Sequence, residues 1–226
     1  MSQTLALRAH IASTGNRMVG CTMYCEGIHL EPSDGVLPRA LALEYEDRSG
    51  PLGSVALGIN PGAGDEHERS YYLEHGNTYE AMLEFWTEFR KDVHPYHVRT
   101  RRFIDACGVS GPILWTELVK CQNLKGVKGV PPLGTLRTCV HLYLVEEMAA
   151  VPESWPIIAI GKEPFRLASM IFPSRTVIGI PHPTGSYGLF PKLFANGETL
   201  LPKFKKQVSD ALEAEIPSAT WLIVKR

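Results

Sequence analysis

Two short loops of this 226-residue chain carry residue types that can do chemistry. The first reads Gly58-Ile59-Asn60-Pro61-Gly62-Ala63-Gly64-Asp65, the second Pro181-His182-Pro183-Thr184-Gly185-Ser186-Tyr187-Gly188. Glycines after a strand let a ligand approach the backbone and can turn amide N–H groups toward an anion; Gly and Pro in that place also simply make a turn. The first loop is not a Walker loop, since no Gly-Lys-Ser/Thr follows, and its glycine spacing is not the dinucleotide fingerprint. No nucleotide cofactor is therefore expected. In the second loop an imidazole held between two prolines is rigidly aimed and can donate to a developing oxyanion, or it is a structural histidine. Cysteine supplies a third constellation: four of the five fall as Cys21-x3-Cys25 and as Cys121 with Cys139. Four thiolates suit a [4Fe–4S] cluster or a tetrahedral zinc ion, and buried free thiols are the plain alternative. Cys107 is expected to be a core residue.

The elements that must hold these residues are legible as alternation. Short apolar runs at Ser54–Ile59, Ile113–Leu118, Ile157–Ile160 and Thr176–Ile180 are rich in Val, Ile and Leu and too short for helices, so they read as buried parallel strands. Helical patterns separate them over Thr78–Val93, with Thr78 as N-cap, and over His97–Cys107, Thr135–Ala150 and Lys162–Ile171. Strand and helix in alternation predict a three-layer α/β/α sandwich around a mostly parallel four-stranded sheet. Ligands of such sheets bind beyond the carboxyl ends of the strands, which is where both loops fall. Residues 1–50 read as an irregular N-terminal segment of a single domain spanning 1–226, and Trp221–Lys225 as a short edge strand.

Composition excludes several classes. Hydrophobic residues are 44% and charged residues 21%, which is not the balance of a disordered chain. No apolar run approaches the ~18 residues that a membrane span needs, and Met1–Arg17 lacks a signal-peptide layout; an intracellular, cytoplasmic protein without disulfides is expected. The net charge of −1 hides a segregation. Glu26–Arg90 holds 13 acids and 4 bases, whereas Arg99–Arg137 and Lys162–Lys206 each hold 7 bases and 2 acids. Such blocks give either a basic face suited to a polyanion or charges that merely cluster in sequence.

Taken in order, the motifs resemble the uracil-DNA glycosylase superfamily. Gly58-Ile59-Asn60-Pro61-Gly62 is similar to the first motif of the mismatch-specific uracil/thymine glycosylases, and His182-Pro183-Thr184-Gly185-Ser186 to the late His motif. The stretch Glu117-Leu118-Val119-Lys120-Cys121, followed by Cys139, resembles the Asn-Val-Val-Lys-Cys segment and helix cysteine of the iron–sulfur (family 4-like) enzymes. The resemblance covers about Val55 to Gly188. It implies a monofunctional glycosylase that flips a base out of DNA and hydrolyses its N-glycosidic bond.

By that resemblance Asn60 holds the attacking water, and His182 stabilises the leaving base. An amide cannot be a general base, so Asn60 can only orient the water. Gly58, Ile59, Pro61 and Gly62 border the base, and Tyr71 or Tyr72 stacks on it. Glu117 stands where relatives carry the Asn that reads uracil. An ionised carboxylate only accepts hydrogen bonds, so it would repel O4 of uracil and accept from the amine of a cytosine-like base. A Glu117 tied to Lys120 or a nearby Arg would read nothing. Lys120, Lys125 and Lys128 suit phosphate contacts, as do Ser70 and Ser186. The loop Thr184–Leu189, which includes Gly185, matches the segment that enters the minor groove, and Tyr187 or Leu189 suits a wedge in the vacated stack. Cys21, Cys25, Cys121 and Cys139 would hold the cluster, although the first pair has three intervening residues rather than the usual two. The expected partner is DNA, single- or double-stranded, bound by a monomer, in repair or in defence against modified foreign DNA. Two other functions fit the same residues: a superfamily member that binds DNA without cutting it, and an α/β hydrolase acting on nucleotides.

Overall fold

The computed structural model describes residues 3–125, 129–185 and 188–224. In chain order the elements are α1 (Gln3–Val19), β1 (Ile28–His29), β2 (Leu41–Glu44), β3 (Ser54–Gly58), α2 (Glu66–His75), α3 (Tyr79–Phe85), α4 (Pro95–Ala106), β4 (Ile113–Glu117), β5 (Gln122–Asn123), α5 (Leu133–Cys139), α6 (Val145–Ala150), β6 (Ile157–Ile160), α7 (Lys162–Ile171), β7 (Val177–Ile180), α8 (Pro202–Glu213) and β8 (Ala219–Trp221). Helices flank a mostly parallel sheet, an α/β sandwich with strand order β2-β4-β3-β6-β7-β8. The expected four strands are β3, β4, β6 and β7, and the sheet has six because β2 and β8 extend its two ends. The tail strand is three residues long and begins at Ala219, earlier than the Trp221 start expected from the sequence.

The chain resolves into two compact units. One comprises Glu44–Gly58, Lys91–Trp115 and Pro152–Arg226. Here β3, β6, β7 and β8 run parallel, with Val55 opposite Ile157, Ile157 opposite Val177, and Val177 opposite Ala219. Every residue of β3, β6 and β7 is buried, which explains their unbroken apolar sequence. Gly179 admits Trp221 and Phe165 so closely that a Cβ there would lie 2.2 Å from the Trp221 ring. Helix α4 reads as basic in sequence, yet Arg101 is bound by Glu44 at 2.7 Å and by Asp92 at 3.0 Å.

The other unit comprises Met1–Leu43, Ile59–Arg90 and Thr116–Val151. The N-terminal segment is not irregular throughout, because α1 is a 17-residue helix. Its buried residues Leu7, Ile11, Thr14 and Met18 recur every three or four positions, a stripe whose polar member Thr14 weakens the signal in sequence. Gly15 lets α1 lie against the Tyr79 ring, where a Cβ would come within 2.3 Å. Thr78 caps α3, its side chain accepting from Ala81 N–H at 3.1 Å. Helix α5 runs through a π-helical turn, Val140–Leu144, into α6, which shifts the buried stripe to Leu136, Cys139, Tyr143, Leu144, Glu147 and Met148. Strands β1 and β5 form a separate antiparallel pair, with Ile28 opposite Asn123 and His29 opposite Gln122.

Candidate functional site

Asn60 follows β3 and is half-buried. Its amide is held by the segment after β4. Asn60 Nδ2 donates to Cys121 O at 3.4 Å and to Asn123 Oδ1 at 3.1 Å, and Val119 N–H donates to Ile59 O at 3.0 Å. Both amide hydrogens are thereby engaged, which leaves Asn60 Oδ1 as the acceptor for a water hydrogen. The rest of the loop is clamped from behind. Arg39, itself buried, donates through Nη2 to Gly62 O and, at 3.0 Å, to Gln122 Oε1. Gln122 Oε1 also accepts from Gly64 N–H at 2.8 Å. Glu68 pairs with Arg39 at 3.2 Å and with Arg90 at 3.3 Å, and Asp65 caps α2 by accepting from Glu68 N–H at 2.9 Å. The Arg90 guanidinium and the Glu68 amide hold the Asp65 carboxyl below its usual range, the backbone hydrogen bond contributing most. A Cβ at Gly62 would meet nothing within 4 Å, so the loop's outer side is open to a ligand. Sequence reading missed Arg39, which has no motif around it, and Gln122 and Asn123, which directly follow the Glu117–Cys121 stretch but lie outside its match.

Glu117 is buried at the end of β4. Lys120 does not serve as its counter-charge, and it is not a DNA contact either. The Lys120 side chain is 0% exposed and pairs at 2.8 Å with Glu147, also 0% exposed. Lys120 Nζ donates to Thr116 Oγ1 as well, and Thr116 O–H donates to Glu147 Oε2 at 2.6 Å. A fully desolvated ammonium cannot reach a phosphate, so the expectation of a phosphate-binding Lys120 is corrected. Lys125 is exposed as such a role requires; Lys128, Ser186 and Tyr187 lie outside the described residues.

The two tyrosines separate clearly. Tyr72 is buried and its O–H donates to Glu68 at 3.0 Å, which removes it as a stacking platform. Tyr71 is more accessible but already lies flat on His75, centroids 4.0 Å apart and planes 11° apart, within a cluster that includes Phe85 and Phe89.

The four cysteines of the sequence pattern line one pocket. Met23, Ile28, Pro38, Val119 and Leu142 complete its apolar wall. Cys121 and Cys139 are buried, Cys21 and Cys25 half-buried, and all are reduced. Burial, and then the neighbouring thiols, push Cys121 up to about 12. Burial pushes Cys139 up to about 11, against the opposing pull of Lys120. Lys120 N–H donates to Cys139 Sγ at 3.2 Å, the kind of bond that orients a ligating sulfur. Among the described residues no three His, Cys, Asp or Glu side chains close around one point as a single metal ion requires. Four thiols lining one apolar pocket are the donor set that a [4Fe–4S] cluster takes. Cys107 stands apart from them, its thiol pushed far up by burial.

In the other unit His182 follows β7. Its Nδ1 faces the backbone N–H groups of Gly185, at 3.1 Å, and Thr184, at 3.3 Å. Two donors aimed at Nδ1 make it the acceptor nitrogen, so a neutral ring carries its proton on Nε2. Burial lowers the pKa of His182 below its ordinary 6.5 and favours that neutral form. Gly185 approaches the ring closely; a Cβ there would lie 3.3 Å from Nδ1. Tyr96 stands 5.5 Å from His182, centroid to centroid, and Arg99 donates to Pro183 O at 2.8 Å. Thr184 and Gly185 are exposed. Sequence reading missed Tyr96, which sits in the first turn of α4 among core-like aromatics.

Neither protein-family models nor curated proteins yield a match to this chain.

Proposed function

We propose that the chain is a monofunctional DNA glycosylase acting on a non-standard pyrimidine. The observation that carries this reading is His182, whose Nδ1 is tied to two backbone amides so that a neutral ring bears its proton on Nε2, a form that burial favours by lowering the pKa. Cleavage of an N-glycosidic bond leaves the electron pair on the base and an oxyanion at its carbonyl, and a fixed neutral donor stabilises that charge without reorganising. Asn60 Oδ1 accepts a hydrogen of the attacking water. The water oxygen bonds to C1′ as the C1′–N bond breaks, and its proton passes to solvent. Glu117 accepts from the exocyclic amine of a cytosine-like base. DNA approaches on exposed groups such as Lys125 and Thr184. Cys21, Cys25, Cys121 and Cys139 would hold a [4Fe–4S] cluster, which would cross-link the N-terminal segment to the residues around β5 and take no part in the hydrolysis.

The test is incubation of the iron-loaded protein with oligonucleotides bearing uracil, mismatched thymine or 5-substituted cytosines, with alkaline strand cleavage as the readout of abasic sites. Abasic product from a cytosine-like base, lost in His182→Ala, is the expected result. Product from uracil at an equal or higher rate would overturn the role given to Glu117. Salt-dependent DNA binding with no abasic product on any oligonucleotide would replace the enzyme with a binding module. Hydrolysis of free nucleotides without DNA affinity would replace it with a nucleotide hydrolase.

A further inference from the structure

We infer that Asn123 is a positioning residue that sets which pole of the Asn60 amide faces the attacking water, an inference that rests on the water-holding role of Asn60. A side-chain amide can turn over at little cost, and its two faces have opposite chemistry. Presented through Oδ1, Asn60 accepts a water hydrogen and leaves the oxygen lone pair free for C1′. Presented through Nδ2, it donates to that lone pair and blocks attack. The choice is made by a directional chain. Asn123 Nδ2 donates to the backbone carbonyl of Gly129 at 3.1 Å, which turns Asn123 Oδ1 toward Asn60. Asn60 Nδ2 donates to that oxygen at 3.1 Å and, more weakly, to Cys121 O at 3.4 Å. A carbonyl cannot donate, so Gly129 O fixes the polarity of the first amide, and the first amide fixes the second. Asn123 itself is held by the backbone: it is in register with Ile28 across β1 and β5, and Leu124 N–H donates to Gly27 O at 2.9 Å. Asn123 comes two residues after Cys121, so the backbone that carries a proposed cluster ligand also aims the water-holding amide.

The experiment compares iron-loaded wild type, Asn123→Asp and Asn123→Leu, with Asn123→Ala in place of the leucine variant should circular dichroism show that the latter is unfolded. A carboxylate at 123 still accepts from Asn60, whereas Leu and Ala do not. Two readouts are taken: the single-turnover rate at saturating DNA, on whichever oligonucleotide wild type cleaves fastest, and the Asn60 side-chain amide resonances, assigned by their loss in Asn60→Ala. Loss of one orienting hydrogen bond predicts a rate drop of about tenfold in Asn123→Leu, with DNA affinity unchanged and most of the rate restored in Asn123→Asp. The Asn60 amide signals shift in the leucine variant and stay in the aspartate variant. An equal rate loss in both variants, or unshifted Asn60 signals in Asn123→Leu, would overturn the inference. Wild type that makes no abasic product sinks the glycosylase reading alone, since the amide resonances still report whether Asn123 orients Asn60.

Discussion

Removing Lys120 tests the largest departure from the sequence reading. Lys120 and Glu147 are both fully buried and 2.8 Å apart, and Thr116 closes the triad by donating to Glu147 Oε2. Lys120→Met keeps the side-chain length and deletes the charge. It leaves a buried carboxylate with one hydroxyl donor, because Glu147 Oε1 has no hydrogen-bond partner among the described residues. Breaking one half of a buried pair costs about 3–5 kcal/mol. At roughly 2–4 °C per kcal/mol for a chain of this size, the melting temperature falls by roughly 6–20 °C. The triad is also incompletely satisfied, so its desolvation is not fully offset. Replacing all of it with apolar groups, Thr116→Val with Lys120→Met and Glu147→Leu, should therefore restore stability to within about 1–2 kcal/mol of wild type. Thermal and urea unfolding measure both variants. A single variant that loses under about 1 kcal/mol, or a triple variant as unstable as the single, would refute the buried-pair reasoning. DNA binding adds an independent check. A lysine on a phosphate contributes about one unit to the salt slope of affinity, so Lys120→Met, assayed well below its melting temperature, should leave that slope unchanged.

Two further outcomes follow from the thiol pocket and the imidazole. Protein expressed without oxygen should be brown with about four irons per chain, and Cys121→Ser or Cys139→Ser should be pale and lose most of that iron by elemental analysis. Because burial holds Cys121 up near 12 and Cys139 near 11, cluster assembly on iron-free protein must release protons, so reconstitution monitored by absorbance should run faster at high pH than at low pH. For His182 the folded pKa lies below the unfolded value of 6.5. The folded state then binds fewer protons, so the histidine's contribution to stability is fully present above about pH 6.5 and is lost as pH falls through the folded pKa. The same titration governs the neutral donor. Cleavage rate should be flat above pH 6.5 and change only below it, in step with the His182 ring resonances, and a rate that changes between pH 7 and 8 while those resonances stay still would refute the assignment.

The sheet was readable because burial on both faces leaves nothing polar in β3, β4, β6 and β7 apart from Ser54, Thr116 and Glu117. Those strands appear as apolar runs with turn residues at each end. Helix α7 was readable in full, Lys162–Ile171, for the same reason on one stripe. What escaped was held together by partners distant in sequence. Strand β2 is four residues among turn signals, and it is recognisable as a strand only through its place beside β4. Helix α1 carries Thr14 in its buried stripe and Gly15 where Tyr79 presses on it, and both lower a helical reading made from propensity. Position in the chain identified Lys120 as a cation in a basic block, but a partner 27 residues away made it a core residue.

The site divides along the same line. Residue type proposed Asn60, His182 and the four cysteines, and the structure shows an amide with its hydrogens engaged, an imidazole with one nitrogen facing backbone amides, and thiols on one pocket. The residues that make them specific were invisible, because orientation is a property of the second partner rather than the first. Asn60 is a turn residue in any loop unless Asn123 and Cys121 O take its hydrogens. His182 is an ordinary half-buried histidine unless Thr184 and Gly185 present their amides to one nitrogen. Gly185 matters there for what it lacks, since any side chain would crowd the ring it orients. Chemistry-bearing side chains are thus common in sequence, and selection among them comes from fixed backbone donors and acceptors, which only the fold supplies.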